Sequence, residues 1–282
     1  VRADRLLVAR GLARSRAQAL RLLEAGAVQW RAAAAAAWQP VAKPAQELPA
    51  AAELRLDGAP GELRYVSRGG VKLEGALAAG GVDPAGKTCL DLGQSTGGFT
   101  DCLLQRGAAR VVGIDVGHGQ LHPRLAADAR VLAFERVNAR ALERAALDAL
   151  VAARGAAALP EAGFELIVGD LSFISLTLVL PALAPLLVPG GDLLHLVKPQ
   201  FELGAAALDG RGIVRPDADL RPMFERISAA LPRESWDRHS YFESSIEGGD
   251  GNREYFLHAR RRLGPDGAGR APGAAFIIDP SS

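Results

Sequence analysis

CLDLGQSTGGFTDCLLQRGAARVVGID, residues 89–115, reads as strand, loop, helix and strand. An apolar run ends in Asp91, and Gly93-Gln94-Ser95-Thr96-Gly97-Gly98 turns the chain into an amphipathic stretch. A second apolar run ends in Asp115. Glycines at such a turn let the backbone approach a ligand with no Cβ in the way. An acid closing the second strand is placed to accept hydrogen bonds from ribose hydroxyls.

Outward from this unit, strands and helices alternate. Apolar periodicity predicts strands over 88–92, 110–115, 130–134, 164–169 and 191–197, and helices over 98–106, 119–126, 139–153, 174–187 and 216–231. Such alternation makes an α/β fold with a parallel sheet covered on both faces. Residues 235–246 and 253–260, joined by the Gly-rich turn 248–251, read as an antiparallel hairpin at the sheet edge. A helix starting near Gly70 carries Lys72. Upstream, 2–10 and 15–25 read as helices, with Ser15 as N-cap, Gln18 completing a capping box and Gly26 as terminator. Short strands follow at 27–29 and 53–56. The expected organisation is a small α+β module over 1–56, a linker over 57–64, the large domain over 65–262 and a loose tail over 263–282. The run Ala32–Ala37 receives no function.

With 49% hydrophobic residues in 282, the chain can bury a sizeable core. Its net charge of +1 hides an asymmetry, because residues 1–31 hold seven arginines against two acids. A basic head suits a polyanionic partner, and Arg2, Arg5, Arg14 and Arg16 are expected to face outward. Cys89 and Cys102 have neither metal-ligand spacing nor a disulfide framework, so both read as buried hydrophobes in a cytoplasmic protein, with no metal expected. Arg and Asp interrupt the first ten residues, unlike a secretory signal. Residues 171–191 lack charge, but Pro181, Pro185 and Pro189 favour a strand end, loop and buried helix over a membrane span.

The loop lacks the G-K-[ST] of a phosphate-binding loop and the G-x-G-x-x-G of a dinucleotide site. Asp-x-Gly-x-x-x-Gly with a second-strand acid suits a nucleoside carrying an amino-acid tail. That ligand is S-adenosylmethionine, with Asp91 near its amino group, the loop along its tail, Asp115 on its ribose and Asn138 near its adenine. The same residues also satisfy G-x-S-x-G, the nucleophile elbow of hydrolases, with Ser95, Asp170 and His195 in the required order. Asp91 would oppose a developing oxyanion there, and His195 lies inside a strand-like run.

Longer blocks carry a family resemblance. They are SRGGVKL (67–73), DLGQSTGGFTD (91–101), GIDVG (113–117), ERVN (135–138), DLSFISL (170–176), VKPQFE (197–202) and GNRE (251–254). Over almost its whole length the chain resembles the TlyA, or hemolysin A, family of ribose 2′-O-methyltransferases acting on ribosomal RNA. The resemblance implies a Rossmann-like methyltransferase sheet, S-adenosylmethionine as cofactor and ribosomal RNA or a ribosomal subunit as partner, with a cytidine as target. It implies an αL-type RNA-binding head and a constellation of Lys72, Asp170, Lys198 and Glu254. It adds Ser95, Thr96, Gly97, Gly98, Phe99 and Val116 to the cofactor contacts and Arg68 to the RNA contacts. Gln94 and the alanine-rich stretch between Trp30 and Trp38 depart from the family's pattern.

Independently of the resemblance, Asp170 and Lys198 stand at carboxyl ends of expected parallel strands, where open α/β sheets build their sites. A desolvated lysine among charges can align or deprotonate a hydroxyl. The assigned roles are hydroxyl activation or alignment for Lys198, control of its charge for Asp170 and Glu254, and ribose or phosphate positioning for Lys72. The competing functions are a membrane-active protein, a non-catalytic ribosome-assembly factor and a serine hydrolase.

Overall fold

The computed structural model describes residues 1–13, 15–57 and 64–263. The expectations for Arg14, for linker residues 58–63 and for the tail from 264 fall outside the described residues.

Near the start, α1 (Ala3–Ala9) and α2 (Arg16–Glu24) pack on a three-stranded antiparallel sheet of β1 (Val28–Arg31), β2 (Gln39–Pro40) and β3 (Glu53–Leu56), ordered β2-β1-β3. The Ser15 hydroxyl accepts from the Gln18 N–H at 3.2 Å, which starts α2 as the sequence predicts. Leu6, Leu7, Leu22, Leu23 and Val28 close the core. Of the arginines, Arg2 departs from expectation. Asp4 is buried and draws in both Arg2 and Arg16, each at 2.9 Å; Arg2 is held half-buried, while the Arg16 side chain stays 56% exposed, as expected, with its Nε on the carboxylate. The hydrogen bond from Arg2 holds the Asp4 carboxyl low, at about 2. Arg5 is exposed as expected. The Ala32–Ala37 run is the connection from β1 to β2, fastened by an Arg31 hydrogen bond to the Ala34 carbonyl. Trp38 lies between the guanidiniums of Arg31 and Arg55, each 4.6 Å from its ring. β2 has too little apolar alternation to be legible beforehand.

The large sheet has seven strands: β4 (Thr88–Leu92), β5 (Arg110–Asp115), β6 (Val131–Glu135), β7 (Phe164–Gly169), β8 (Leu187–Val197), β9 (Trp236–Glu243) and β10 (Tyr255–Arg261). Their order is β6-β5-β4-β7-β8-β10-β9, parallel from β6 to β8, with β10 and β9 as the antiparallel edge hairpin. Leu90, Leu92, Ile167 and Leu193 bury on one face, while Cys89, Leu166, Val168, Leu194 and Leu196 bury on the other. This explains the continuous apolar runs, since a strand covered on both faces has no polar side. Both cysteines are buried and free. Chain order reverses at β4, which pairs with β5 on one side and β7 on the other, so the crevice lies above β4.

The helices are α3 (Gly69–Gly80), α4 (Gly98–Gln105), α5 (Pro123–Ala126), α6 (Arg144–Ala153), α7 (Leu180–Leu183), α8 (Pro199–Glu202) and α9 (Arg221–Ala229). The helix expected over 174–187 is broken into a 3-10 turn at Leu176–Leu178, α7 and a second 3-10 turn at Ala184–Leu186. Pro181 and Pro185 open the last two pieces, because proline lacks the N–H a continuing helix needs. β8 then begins at Leu187, four residues earlier than expected, with a register shift against β7. The helix expected over 119–126 shrinks to α5, since Gly119 is left-handed at φ 66°. The 139–153 helix starts with a separate 3-10 turn, Ala139–Ala141, and the 216–231 helix is confined to α9. Among the described residues no helix is long and apolar enough to cross a membrane. The uncharged stretch 171–191 is loop, short helical turns and the partly exposed start of β8.

Candidate active site

Four strand ends meet at the crevice, carrying Asp91, Asp115, Asp170 and Lys198. Asp91 is wholly buried; its Oδ2 accepts from the Thr100 hydroxyl at 2.6 Å, and its Oδ1 is buried with no protein donor. Burial pushes this carboxyl up to about 7, and the neighbouring charge of Asp170 adds to the effect. Gln94 does not disturb the loop. Its side chain occupies the space left by Gly113, where a Cβ would come within 2.1 Å of it, and donates to Thr100 at 2.8 Å. Gly93 is left-handed at φ 76°, and a Cβ there would lie 2.7 Å from the Asp170 carbonyl. The cofactor-type loop and the loop after β7 are therefore in backbone contact.

Asp115 accepts from the Ser95 N–H at 2.7 Å and the Gly117 N–H at 2.6 Å. Each carboxylate oxygen keeps a second lone pair, so ribose hydroxyls can still be bound. Val116 is 69% exposed beside it. Asn138 is exposed; its Oδ1 accepts from the Arg140 N–H at 2.9 Å and caps the turn 139–141. Thr96 is half-buried, and its carbonyl accepts from the His122 N–H. Gly97 and Gly98 are buried at the start of α4. The Phe99 side chain is in the core, its ring centroid 6.2 Å from that of Phe256, which leaves its backbone at the start of α4 as the part that faces the loop.

Two lysine–carboxylate pairs form the other half. Lys72 of α3 donates to Glu254 Oε2 at 2.5 Å, both side chains being almost wholly buried. Lys198 Nζ lies 2.6 Å from Asp170 Oδ1 and donates to the Ser172 hydroxyl at 2.8 Å. Glu254 also feels the charges of Asp170 and Lys198, so the four groups form one cluster. Burial raises the Glu254 carboxyl above its ordinary range, opposed by the hydrogen bond and charge of Lys72. Arg68 is exposed and donates to the Glu247 carbonyl.

The hydrolase triad is absent. Ser95 donates its hydroxyl to Gln120 at 2.9 Å, and Asp170 is paired with Lys198. His195 is buried in β8 with Nδ1 2.8 Å from the Leu196 carbonyl, and burial pushes the imidazole down to about 4.

Three neighbours of the cluster received no role from sequence: Ser172, Phe173 and Glu202. Phe173 is 89% exposed, has φ 63° and sets its ring 4.9 Å from that of Phe201. An apolar aromatic in a polar loop three residues after a strand-ending acid is the signal that points to it. Glu202 is marked only by its place in KPQFE.

Comparison with known proteins agrees with this architecture. Residues 65–261 match the family described as FtsJ-like methyltransferase. The chain is 43% identical over 260 residues to the 16S/23S rRNA (cytidine-2′-O)-methyltransferase TlyA of Mycobacterium tuberculosis, covering 92% of this chain and 89% of that one. It is 35% identical to Hemolysin A of Brachyspira hyodysenteriae, covering 70% and 77%. A solved structure from Streptococcus thermophilus, titled as a hemolysin, is 38% identical with a TM-score of 0.63, covering 93% of this chain and 88% of that one. By a match over residues 65–261, and by relatives 35% and 43% identical over the aligned residues, the chain belongs to the FtsJ-like methyltransferase family, in the branch of the TlyA and hemolysin A proteins.

Proposed function

We propose that this protein transfers a methyl group from S-adenosylmethionine to the 2′-hydroxyl of a ribose in ribosomal RNA, at a cytidine. The observation that carries the reading is the cluster Lys72, Glu254, Asp170 and Lys198 beside a glycine loop floored by Asp91. When bound, the cofactor supplies an electrophilic methyl carbon and the leaving sulfur. The protein's share is to align the hydroxyl, whose proton leaves to water as the O–C bond forms, and alignment supplies much of the acceleration. Lys198 holds the hydroxyl, with Asp170 and Ser172 fixing its ammonium. Lys72, pinned by Glu254, positions the ribose or its phosphate. Asp91 fits the cofactor's ammonium, since its Oδ1 is buried without a donor, and Asp115 and Val116 fit the ribose and adenine. Asn138 Oδ1 keeps a lone pair for the adenine amino group. Phe173 is the platform on which the target base stacks once unstacked from its neighbours, and its backbone strain suits a functional position. Arg5 and the exposed Arg16 of the head and Arg68 contact RNA phosphates, whereas Arg2, held half-buried on Asp4, shapes the head.

The test is transfer of labelled methyl from S-adenosylmethionine to unmethylated ribosomal subunits. Alkali-resistant label at one linkage is the expected result; cofactor binding without transfer to any subunit overturns it. In the same assay Phe173→Ala lowers kcat/KM for RNA about 10- to 100-fold, the worth of one base–aromatic stack, and leaves cofactor affinity unchanged. Equal efficiency in wild type and variant removes the platform.

Asp91 makes cofactor affinity pH-dependent. A carboxyl at about 7 must ionise to meet an ammonium, so affinity climbs as pH rises through about 7 and levels off above it. Stability of the cofactor-free protein runs the other way. Between the ordinary aspartate value near 4 and about 7 the native state holds the extra proton, so stability falls as pH rises across that window. Calorimetric titration at several pH values shows the rise in wild type, and Asp91→Asn flattens it. A flat wild-type profile contradicts the assignment.

A further inference from the structure

β7 and β8 are neighbours in the ladder, and Gly169 opposite His195 is their last registered pair. Beyond it the loop carrying Asp170, Ser172 and Phe173 and the segment from Lys198 into α8, which carries Phe201, no longer pair with each other as strands. Two side chains then join them. Lys198 reaches Asp170 and Ser172. Glu202, at the end of α8, accepts from the Leu176 N–H at 2.6 Å with Oε1 and from the Ser175 hydroxyl at 2.7 Å with Oε2. The Glu202 carbonyl in turn accepts from Arg226 of α9 at 2.6 Å, which ties the joint to the body of the fold. A group that must engage a substrate hydroxyl cannot also be the fixed brace of its own loop. Lys198 is the first of these and Glu202 is the second.

We propose that Glu202 is a positioning residue: its carboxylate clamps the loop after β7 to the loop after β8 and so holds Asp170, Lys198 and the Phe173 ring as one unit. The inference rests on the function proposed above for what the unit does. Among the described residues, the groups expected to meet cofactor, at 91–98 and 115–116, make no hydrogen bond to Glu202. Its loss therefore acts on turnover and RNA engagement while cofactor binding stays.

Chemistry distinguishes three variants. Glu202→Ala removes both acceptors. Glu202→Asp is one methylene too short to span both donors. Glu202→Gln restores the clamp: its amide oxygen accepts from Leu176, its amide N–H donates to Ser175 Oγ, and the Ser175 hydroxyl turns to Thr177 Oγ1, 2.8 Å away. The expected result is a kcat reduced about 100-fold in Ala and Asp, the scale of an ångström of misplacement, and within about threefold of wild type in Gln. Cofactor affinity stays within about twofold in all three. Val151→Ala, a core cut in α6, a helix that supplies no group to either loop's hydrogen bonds, serves as the control for general destabilisation: it lowers the unfolding temperature without lowering kcat. Hydrogen exchange of the Leu176 amide gives an arm independent of activity, with protection in wild type and Gln and its loss in Ala. Retained kcat in Ala, failure of Gln to rescue, or unchanged Leu176 protection in Ala each overturns the clamp. A wild type that binds cofactor yet methylates no RNA overturns the proposed function instead, and the exchange arm still decides Glu202.

Discussion

Lys198→Ala slows methyl transfer about 10³-fold while cofactor affinity stays within about twofold of wild type. The expectation follows from where the ammonium stands. Its side chain is 12% exposed, and Nζ lies 2.6 Å from Asp170 and 2.8 Å from Ser172, at the mouth of the crevice. No group of the loop 93–98 hydrogen bonds to it, so the cofactor site survives its removal. Lys198→Arg does not restore the rate, because a planar guanidinium fork does not place its charge where a point ammonium does. Single-turnover transfer to unmethylated subunits reads the chemical step without product release. A variant with wild-type single-turnover rate assigns hydroxyl activation to another group.

The parts of this site legible in the sequence are those set by local rules. Asp91, Asp115 and Asp170 end apolar runs, and a strand end in a parallel sheet is a fixed place, so their convergence follows from alternation alone. Lys198 is legible because a cation between an apolar strand and Pro199 has to be spent on something. What stayed hidden depends on pairing across the chain. Nothing near Arg2 or Arg16 announces that Asp4 will be buried and claim both. Phe99 stands in the cofactor motif, yet the face it takes in α4 is set by Phe256, far along the chain. Gln94 breaks the loop's pattern of small residues, and only the neighbouring strand shows that Gly113 makes room for it. The helix expected over 174–187 failed for a reason already printed in the sequence: two prolines outweighed an apolar periodicity that a buried, broken segment also satisfies. Glu254 lies between these cases. Motif resemblance names it, but the contact with Lys72 joins residues 182 positions apart.

That contact carries the largest expected effect on stability. Glu254→Ala leaves Lys72, only 9% exposed, as a buried charge with no counter-ion, and breaking such a pair costs about 3–5 kcal/mol. For a domain of this size the unfolding temperature falls by about 10 °C. Transfer is lost as well, and the single variant cannot say whether the pair serves the fold or the chemistry. A double replacement separates them. Burial raises the Glu254 carboxyl above its ordinary range even with Lys72 beside it, so the site disfavours the charge it holds. Removing both charges with apolar groups of similar volume, Lys72→Met with Glu254→Leu, therefore returns most of the lost unfolding temperature. If the pair exists to place an ammonium against the substrate, the double variant is stable and inactive, with cofactor affinity preserved. Recovery of transfer together with stability would make the pair a structural joint and leave Lys198 and Asp170 as the working half of the cluster.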